Sequence, residues 1–332
     1  MSESNGGFVR RAKSGLKRVP LAERPIAKLN ELRISLPPRL HAASRAAKGL
    51  SPFGDYPVES RPRWGYGLPP HPQLDDIIGR GRPRYNALVK AILAEERLSQ
   101  IHGSADASQP ELPHWNNGMF PAIDGAALYV LMGRLRPKLV IEVGSGNSTR
   151  FSRLAISDAD LDTVIVSIDP HPRVEIDALC DETVRSAFES LDLSLLDRLQ
   201  PGDVLFFDGS HRSLMNSDVT MFWLDAIPRL PRGVIVHIHD IFLPYDYPPD
   251  WTPRFYSEQY LLAAALLAGA DFGLLFASQY VQQDADLFTP LDERFASWGV
   301  DLDARGGASF WFVIGADIDP LSEEIEMSSE SV

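Results

Sequence analysis

The stretch that decides the fold is "LVIEVGSGNSTR", residues 139–150. A run of β-branched and apolar residues leads into two closely spaced glycines, and a segment compatible with a helix follows directly. Glycine lets the backbone adopt a positive φ and approach a ligand closely, and the first N–H groups of a helix have no partners inside it. The pattern therefore predicts a buried strand, a tight turn and a helix whose N-terminus faces a ligand.

The same alternation of strand and helix continues on both sides of this stretch. Helices are predicted over residues 82–103, 123–135, 151–157 and 257–269, and strands over 139–144, 163–169, 203–209, 233–240, 272–278 and 309–315, with a weaker strand near 183–187. Apolar strands separated by helices are typical of a parallel sheet covered on both faces. The predicted fold class is α/β: a Rossmann-like, doubly wound, mostly parallel sheet with helices on both faces and a late antiparallel strand.

Composition divides the chain into three predicted parts. Residues 1–75 form a basic, Pro-rich extension with a short helix around Leu21–Leu32, residues 76–320 form the folded domain, and residues 321–332 form an acidic, disordered tail. The chain has 332 residues and 44% apolar residues, so a sizeable core is available.

Charge is distributed unevenly along the chain. Residues 1–65 contain 13 Lys and Arg against 5 Asp and Glu, which leaves 19 against 40 in the remainder. Because the main body is acidic, we expect no nucleic-acid partner there. The basic arm could touch an anionic membrane surface or an acidic partner; the plainer alternative is a solvated, flexible arm. The sequence does not indicate an oligomeric state.

Cysteine usage and hydropathy bear on location. Cys180 is the single cysteine, so no intramolecular disulfide forms, which suits a reducing compartment. No run of about 18 apolar residues occurs, and the first residues lack the apolar core of a secretory signal. We expect a cytoplasmic protein without a transmembrane segment.

The glycine turn departs from a nicotinamide-binding fingerprint. Thr149 stands where the third glycine of G-x-G-x-x-G belongs, and Glu142 precedes the first glycine by two residues. A carboxylate there would repel phosphate but could pair with a cationic ligand. Asp169 ends the next strand, where an acid is well placed to accept both ribose hydroxyls of a nucleoside.

Two later strands end in titratable side chains. "VLFFDGSHR" places Asp208 and His211 at one strand end, and "RGVIVHIHDIFLPYDYP" places His237, His239 and Asp240 at another. Buried ionisable groups are costly unless they are paired or used. Neighbouring strands lie about 4.8 Å apart, so Asp208 and Asp240 could share one cation.

The E-x-G-x-G-x-S turn, the strand ending in Asp169, and the "DGSH" and "HIHD" strand ends together resemble class I S-adenosylmethionine-dependent methyltransferases. Over about residues 115–315 the resemblance is greatest to the bacterial methyltransferase type 24 group. It implies that Glu142, Gly144 and Gly146 hold the methionine part of S-adenosyl-L-methionine and that Asp169 holds its ribose. Ser148 replaces the commonest third glycine but can still cap the helix. The predicted cofactor-binding set is Glu142, Gly144, Ser145, Gly146, Ser148, Asp169 and Asp208.

The resemblance also suggests a divalent metal. Related small-molecule O-methyltransferases hold magnesium with strand-end carboxylates, which here would be Asp208 and Asp240. His239 stands where a second acid often precedes the aspartate, and histidine is a poor magnesium ligand, so either a softer metal binds or none does. Without a metal, His211 or His239 would act as general base with a pKa near 6.5. The predicted catalytic set is His211, His239 and Asp240, with His237 a core histidine.

Several flanking residues are candidates for the pocket walls. In the proline-rich loop, Tyr245, Asp246, Tyr247 and Trp251 would form part of an acceptor lid. The alternative is a rigid surface turn. Trp115 and Phe120 would cover the cofactor or pack in the core, and Asp124 is a further candidate.

The predicted function is S-adenosylmethionine-dependent O-methylation of a small polar acceptor, such as a sugar or a glycan-linked metabolite. The main alternative is a metal-dependent hydrolase built on His237, His239 and Asp240. His211 and Asp208 would be further ligands for its zinc. A nicotinamide oxidoreductase and a non-catalytic module that keeps the cofactor fold are further alternatives. The glycine turn and Asp169 would be idle in a hydrolase.

Overall fold

The computed structural model describes residues 60–172 and 175–321, and from Arg61 onward these form one compact unit. The helix predicted around Leu21–Leu32, most of the basic extension and nearly all of the acidic tail lie outside the described residues. Within the described ranges, no helix is long and apolar enough to cross a membrane.

The helices alternate with short strands along the chain. The helices are α1 Pro72–Gly79, α2 Arg82–Ala94, α3 Ala122–Leu135, α4 Asn147–Asp158, α5 Asp218–Met221, α6 Glu258–Leu267, α7 Ser278–Gln283 and α8 Ala285–Ser297. The strands are β1 Leu139–Val143, β2 Val164–Ile168, β3 Glu182–Val184, β4 Val204–Phe207, β5 Ile235–Ile238, β6 Phe272–Ala277 and β7 Phe310–Ile314. Every predicted strand is present, including the weak one at β3. The helices α1, α5, α7 and α8 were not predicted.

The seven strands form one sheet in the order β3-β2-β1-β4-β5-β7-β6. β1 to β5 are parallel to one another, and β7 runs antiparallel between β5 and β6. The predicted doubly wound sheet with a late antiparallel strand is therefore confirmed. The strand order reverses between β1 and β4, which is where ligands bind in open α/β sheets.

The register of the central strands brings the candidate residues to one edge. Val143 pairs with Phe207, and Phe207 pairs with Ile238. The next residue along each strand direction is Gly144, Asp208 or His239. Those three residues therefore lie side by side at the carboxyl edge of β1, β4 and β5.

The core surrounds these central strands on both faces. All residues of β1, β4 and β5 are buried, and α3 is buried over most of its length. Leu74 and Ile78 of α1 are buried in the same core, and the Tyr85 hydroxyl of α2 donates to the Ile78 carbonyl at 3.0 Å. The core thus reaches toward the N-terminus at least as far as residue 74.

Candidate active site

The turn after β1 requires glycine at position 144. Gly144 has φ +78°, and a Cβ atom there would lie 1.9 Å from the backbone oxygen of Asp208. No side chain can be accommodated at that distance without moving the end of β4. The turn and the end of β4 are therefore in direct backbone contact.

The buried Glu142 side chain stabilises this turn through two hydrogen bonds. Its two carboxylate oxygens accept hydrogen bonds from the Ser148 hydroxyl and the Thr149 hydroxyl, each at 2.6 Å. Burial raises the pKa of Glu142 to about 7, although the two hydroxyls act in the opposite direction. The structure gives this side chain a supporting role, because it joins the end of β1 to the first turn of α4. Its contact with the methionine part of the cofactor stays a prediction.

Asp169 lies beside the same turn. Its carboxylate accepts from the Ser145 N–H at 3.1 Å and from the His171 N–H at 2.7 Å. The Ser145 hydroxyl lies 2.6 Å from that of Ser167 in β2. Asp169 is half-buried, so it remains within reach of a ligand in the turn. The expected ribose contact stays a prediction.

The ends of β4 and β5 bring four titratable residues together, and we call Asp208, His211, His239 and Asp240 the carboxylate–imidazole cluster. His211 Nε2 lies 3.1 Å from Asp208 Oδ1 and 3.3 Å from Asp240 Oδ2. His239 Nδ1 lies 3.4 Å from Asp240 Oδ1 and 3.8 Å from Asp208 Oδ1. The predicted proximity of the two strand ends is confirmed.

Two members of the cluster have unusual backbone conformations. His211 has φ +57° and Asp240 has φ +56°, both in the left-handed region that non-glycine residues seldom adopt. The His211 carbonyl accepts from the Ser257 N–H at 2.8 Å, and the Ile241 N–H donates to the Ala308 carbonyl at 2.8 Å. Strained residues of this kind persist where the surrounding structure holds them, and they concentrate at functional sites.

A buried carboxylate that sequence reasoning missed holds His211 from behind. Glu258, at the start of α6, is fully buried, and its Oε2 lies 3.0 Å from His211 Nδ1. Burial alone would lower the pKa of His211, but Asp208, Glu258 and Asp240 together raise it well above its usual value. In sequence, Glu258 looks like an ordinary acid in the first turn of a helix, so no signal distinguished it.

His239 is held in the same way by Asp124 of α3. Its Nε2 lies 3.2 Å from Asp124 Oδ2, and Asp124 also accepts from the Ser278 hydroxyl and the Ala308 and Ser309 N–H groups. Burial of His239 would lower its pKa, but Asp208, Asp124 and Asp240 raise it to about 9. The expectation that these imidazoles titrate near 6.5 is therefore wrong, because the surrounding carboxylates stabilise the protonated rings.

His237 is a core histidine, as the sequence indicated. Its Nε2 lies 2.8 Å from the Ser309 hydroxyl, and its ring stacks on Phe206 at a centroid distance of 3.8 Å. Burial, together with the neighbouring His239, holds its pKa well below the usual value. His237 lies in the sheet core and does not join the cluster, so the hydrolase alternative loses one of its five named ligands.

Hydrogen bonds anchor part of the loop after β5. Asp246 is buried, and its carboxylate accepts from the Arg63 and Trp64 N–H groups and the Tyr260 hydroxyl. The Tyr247 hydroxyl accepts from the Gln259 N–H at 3.1 Å. These contacts favour the rigid-turn interpretation of Asp246 and Tyr247 over the lid interpretation.

Aromatic rings flank the cluster on two sides. Tyr256 packs on the His211 ring with a centroid distance of 4.6 Å, and the Trp251 and Tyr256 ring centroids are 5.6 Å apart. The Arg254 guanidinium lies over the Trp251 ring. On the other side, Phe120 packs on the His239 ring at 5.1 Å. A polar cluster between aromatic walls is the usual composition of a small-molecule pocket.

The donor set only partly suits the magnesium ion that the resemblance implies. Donor atoms of Asp208, His211 and Asp240 all lie within 4.8 Å of one another. Magnesium prefers six oxygen ligands in a regular octahedron. The two carboxylates fit that preference, but the imidazole nitrogen between them does not.

One family model matches the part of the chain that contains the site. Residues 141–241 match a family model described as a methyltransferase domain, of the type 24 group, which spans β1 to the residue after Asp240. No curated protein matches the chain significantly.

Solved structures resemble the chain at low identity. The S-adenosylhomocysteine-bound methyltransferase PaMTH1 of Podospora anserina is 17% identical with a TM-score of 0.35, covering 64% of this chain and 94% of that one. The plantazolicin methyltransferase BpumL, also solved with S-adenosylhomocysteine, is 9% identical with a TM-score of 0.34, covering 73% and 99%. A branched-chain polyamine synthase of Thermus thermophilus is 13% identical with a TM-score of 0.36, covering 85% and 81%. At these identities they say nothing of the acceptor.

The sheet order, the glycine turn and the matched family model define the class of this protein. It carries a class I S-adenosylmethionine-dependent methyltransferase domain. Methyl transfer is therefore the reaction class of this enzyme.

Proposed function

We propose that the enzyme methylates a hydroxyl oxygen of a small polar acceptor, such as a sugar or a glycan-linked metabolite, at the carboxylate–imidazole cluster. One observation carries the proposal. Asp208 touches the glycine turn through its backbone, at the position where a Gly144 Cβ would clash, and its side chain belongs to the cluster. A cofactor seated in the turn and an acceptor seated on the cluster would therefore be neighbours.

The charge of the cluster suits an acceptor rich in hydroxyl groups. Four carboxylates surround the two imidazoles, namely Asp124, Asp208, Asp240 and Glu258. Carboxylates accept hydrogen bonds from hydroxyls, and charge-assisted hydrogen bonds of this kind are strong and directional. The rings of Tyr256 and Trp251 would supply the apolar side of the pocket.

S-adenosylmethionine, when bound, supplies the methyl group to the nucleophilic oxygen. The residues of this chain have the task of aligning that oxygen and receiving its proton. His239 is the proposed acceptor of the proton once its own proton has been lost, because its Nδ1 faces Asp208 and Asp240. Asp208 and Asp240 would orient the hydroxyl. In this proposal Asp169 and the glycine turn bind the cofactor.

The test is acceptor screening with a coupled assay for S-adenosylhomocysteine. Sugars, sugar acids and aryl polyols would be offered to the full chain, and the position of the new methyl group determined by NMR. We expect an O-methyl product whose formation falls by at least 100-fold in Asp240→Asn, since the acceptor is then misaligned. A product methylated on nitrogen or carbon, or full activity in Asp240→Asn, would overturn the proposal.

The remaining expectations about the cell are proposals of the same kind. We infer a cytoplasmic location from the single cysteine, Cys180, and contact of the basic extension with an anionic surface or an acidic partner from its charge. Fractionation of the tagged full chain tests both.

A further inference from the structure

We propose that Asp208, His211 and Asp240 form a three-ligand site for a divalent first-row transition metal ion, with Zn²⁺ as the reference case, in place of magnesium. This inference rests on the proposed function, because the ion would hold the acceptor oxygen in its open position. It departs from the magnesium site that the resemblance implies, and the imidazole at the centre of the donor set is the reason.

Two of the three separations between the donor atoms match a small tetrahedral ion, and all three donor atoms lie within 4.8 Å of one another. His211 Nε2 lies 3.1 Å from Asp208 Oδ1 and 3.3 Å from Asp240 Oδ2. Ligands bonded to Zn²⁺ at about 2.0–2.1 Å in tetrahedral geometry lie roughly 3.3–3.4 Å from one another. His211 is therefore already at a suitable distance from both carboxylates, and the two aspartates are close enough to share one ion. Catalytic zinc sites characteristically use three protein ligands and leave one position open.

The residue behind His211 supports the same conclusion. Histidines that bind metals nearly always donate their other ring N–H to a carboxylate, a backbone carbonyl or a water, which fixes the tautomer and the ring orientation. Glu258 Oε2 lies 3.0 Å from His211 Nδ1, so it can accept that N–H and leave the Nε2 lone pair facing the two aspartates. Glu258 is fully buried, and its Oε1 has no hydrogen-bond partner among the described residues. Burying a carboxylate costs free energy unless the group is paired or coordinates a metal.

The charge balance points to a dication as well. Asp208, Asp240 and Glu258 present three carboxylates to one imidazole ring, with contacts of 3.0–3.3 Å. A protonated His211 neutralises one of these charges, whereas a divalent ion on a neutral His211 neutralises two. The ring nitrogen favours a transition metal over magnesium, whose preferred ligands are oxygens.

His239 would not be a ligand of this ion. Its Nδ1 lies 3.4 Å and 3.8 Å from oxygens of Asp240 and Asp208, and its Nε2 is engaged by Asp124. It would instead contact the ligand carboxylates from outside.

The experiment is a metal titration of the full chain after treatment with a chelator. Co²⁺ is followed through its visible absorption bands, and Zn²⁺, Mn²⁺ and Mg²⁺ are compared by calorimetry. We expect one equivalent of Co²⁺ with bands of a low-coordinate nitrogen and oxygen site, and Zn²⁺ at least 100-fold tighter than Mg²⁺. Absence of stoichiometric Co²⁺ and Zn²⁺ binding in the folded wild-type protein would overturn the proposal, as would equal affinity for Mg²⁺.

Variants assign the site to its residues. His211→Asn should abolish the Co²⁺ bands, and Glu258→Gln should weaken Zn²⁺ binding by 10–100-fold, the usual effect of losing the carboxylate behind a histidine ligand. His102→Asn, which alters an exposed histidine elsewhere, should change neither. Wild-type affinity in a folded His211→Asn protein would contradict the assignment. If that variant fails to fold, Asp240→Asn takes its place, and the wild-type spectrum still decides whether the site exists.

Titration of the same samples with S-adenosylhomocysteine separates this inference from the proposed function. Binding of S-adenosylhomocysteine and O-methylation that persist in chelator, without any transition-metal binding, would sink the metal site and leave the function intact. Metal binding without O-methylation of any offered acceptor would support the metal site and contradict the proposed function.

Discussion

Asp124 and His239 lie 115 residues apart in the chain, yet Asp124 Oδ2 and His239 Nε2 are 3.2 Å apart in the folded domain. Asp124 is fully buried and also accepts from one hydroxyl and two backbone N–H groups. The pair fixes the imidazole so that Nδ1 faces Asp208 and Asp240. Asp124 is thus a positioning residue that acts on the cluster through His239.

Asp124→Asn should therefore lower the pKa of the His239 ring below its value of about 9, because one of the carboxylates that stabilises the imidazolium is lost. Removing one partner of a buried charged pair should also cost about 3–5 kcal/mol of folding stability. NMR titration of the ring and urea denaturation measure the two effects. Asp303→Asn, at an exposed position, is the control and should change neither. An unchanged ring pKa in Asp124→Asn would contradict the pairing.

His239 also predicts a pH dependence of stability in the metal-free protein. Its pKa is raised from 6.5 to about 9 on folding, so the folded state binds the proton more tightly than the unfolded state. The resulting stabilisation is fully present below pH 6.5 and is lost as the pH rises through about 9. Urea denaturation in chelator at pH 6.5 and pH 9.5 should show this loss in the wild type and a smaller one in His239→Gln. Equal losses in both proteins would refute the assignment.

Glu142 also makes stability depend on pH, but here burial raises the pKa, whereas neighbouring carboxylates raise that of His239. Burial raises its pKa from 4.5 to about 7, so its ionisation opposes folding. The folded state holds the proton that the unfolded state loses, so stability falls as the pH rises from 4.5 to about 7 and stays reduced above that. Glu142→Gln should remove this dependence. Its free energy of unfolding relative to that of the wild type should therefore be higher at pH 8 than at pH 5, by up to about 3 kcal/mol. A variant that shows the same pH slope as the wild type would contradict the prediction.

The glycine turn gives a sharp steric prediction. Gly144→Ala places a methyl group 1.9 Å from the Asp208 carbonyl oxygen at a positive φ, so we expect loss of S-adenosylhomocysteine binding and a marked drop in melting temperature. The matched control is Gly133→Ala in α3, where a Cβ meets nothing within 4 Å. That control should keep its affinity and gain up to about 1 kcal/mol of stability, because alanine favours the helix. Wild-type affinity in Gly144→Ala would show that the turn is not the cofactor site.

Sequence patterns predicted the sheet because the central strands are local, apolar and bounded by glycines. They also placed Asp208, His211, His239 and Asp240 at one edge, since parallel strands end together. Pattern reasoning did not find α1, α7 and α8. No side chain caps the start of α7. Asp284 caps the start of α8, but Pro290 inside that helix argues against a helix in the sequence.

The supporting carboxylates were harder to predict. Glu258 and Asp124 reach the cluster from helices that are distant in sequence, and only packing decides which way such side chains face. The raised pKa of His239 could not be predicted either, because it depends on burial and on three carboxylates from separate segments.

The cofactor assignment is tested most simply by calorimetric titration of the full chain with S-adenosylhomocysteine, with NADH as the control ligand and Asp169→Ala as the paired variant. The account predicts micromolar binding, about −8 kcal/mol, at least 10-fold weaker in Asp169→Ala, and no binding of NADH. A folded protein that does not bind S-adenosylhomocysteine, or that binds it equally well in Asp169→Ala, would contradict the assignment of the cofactor site.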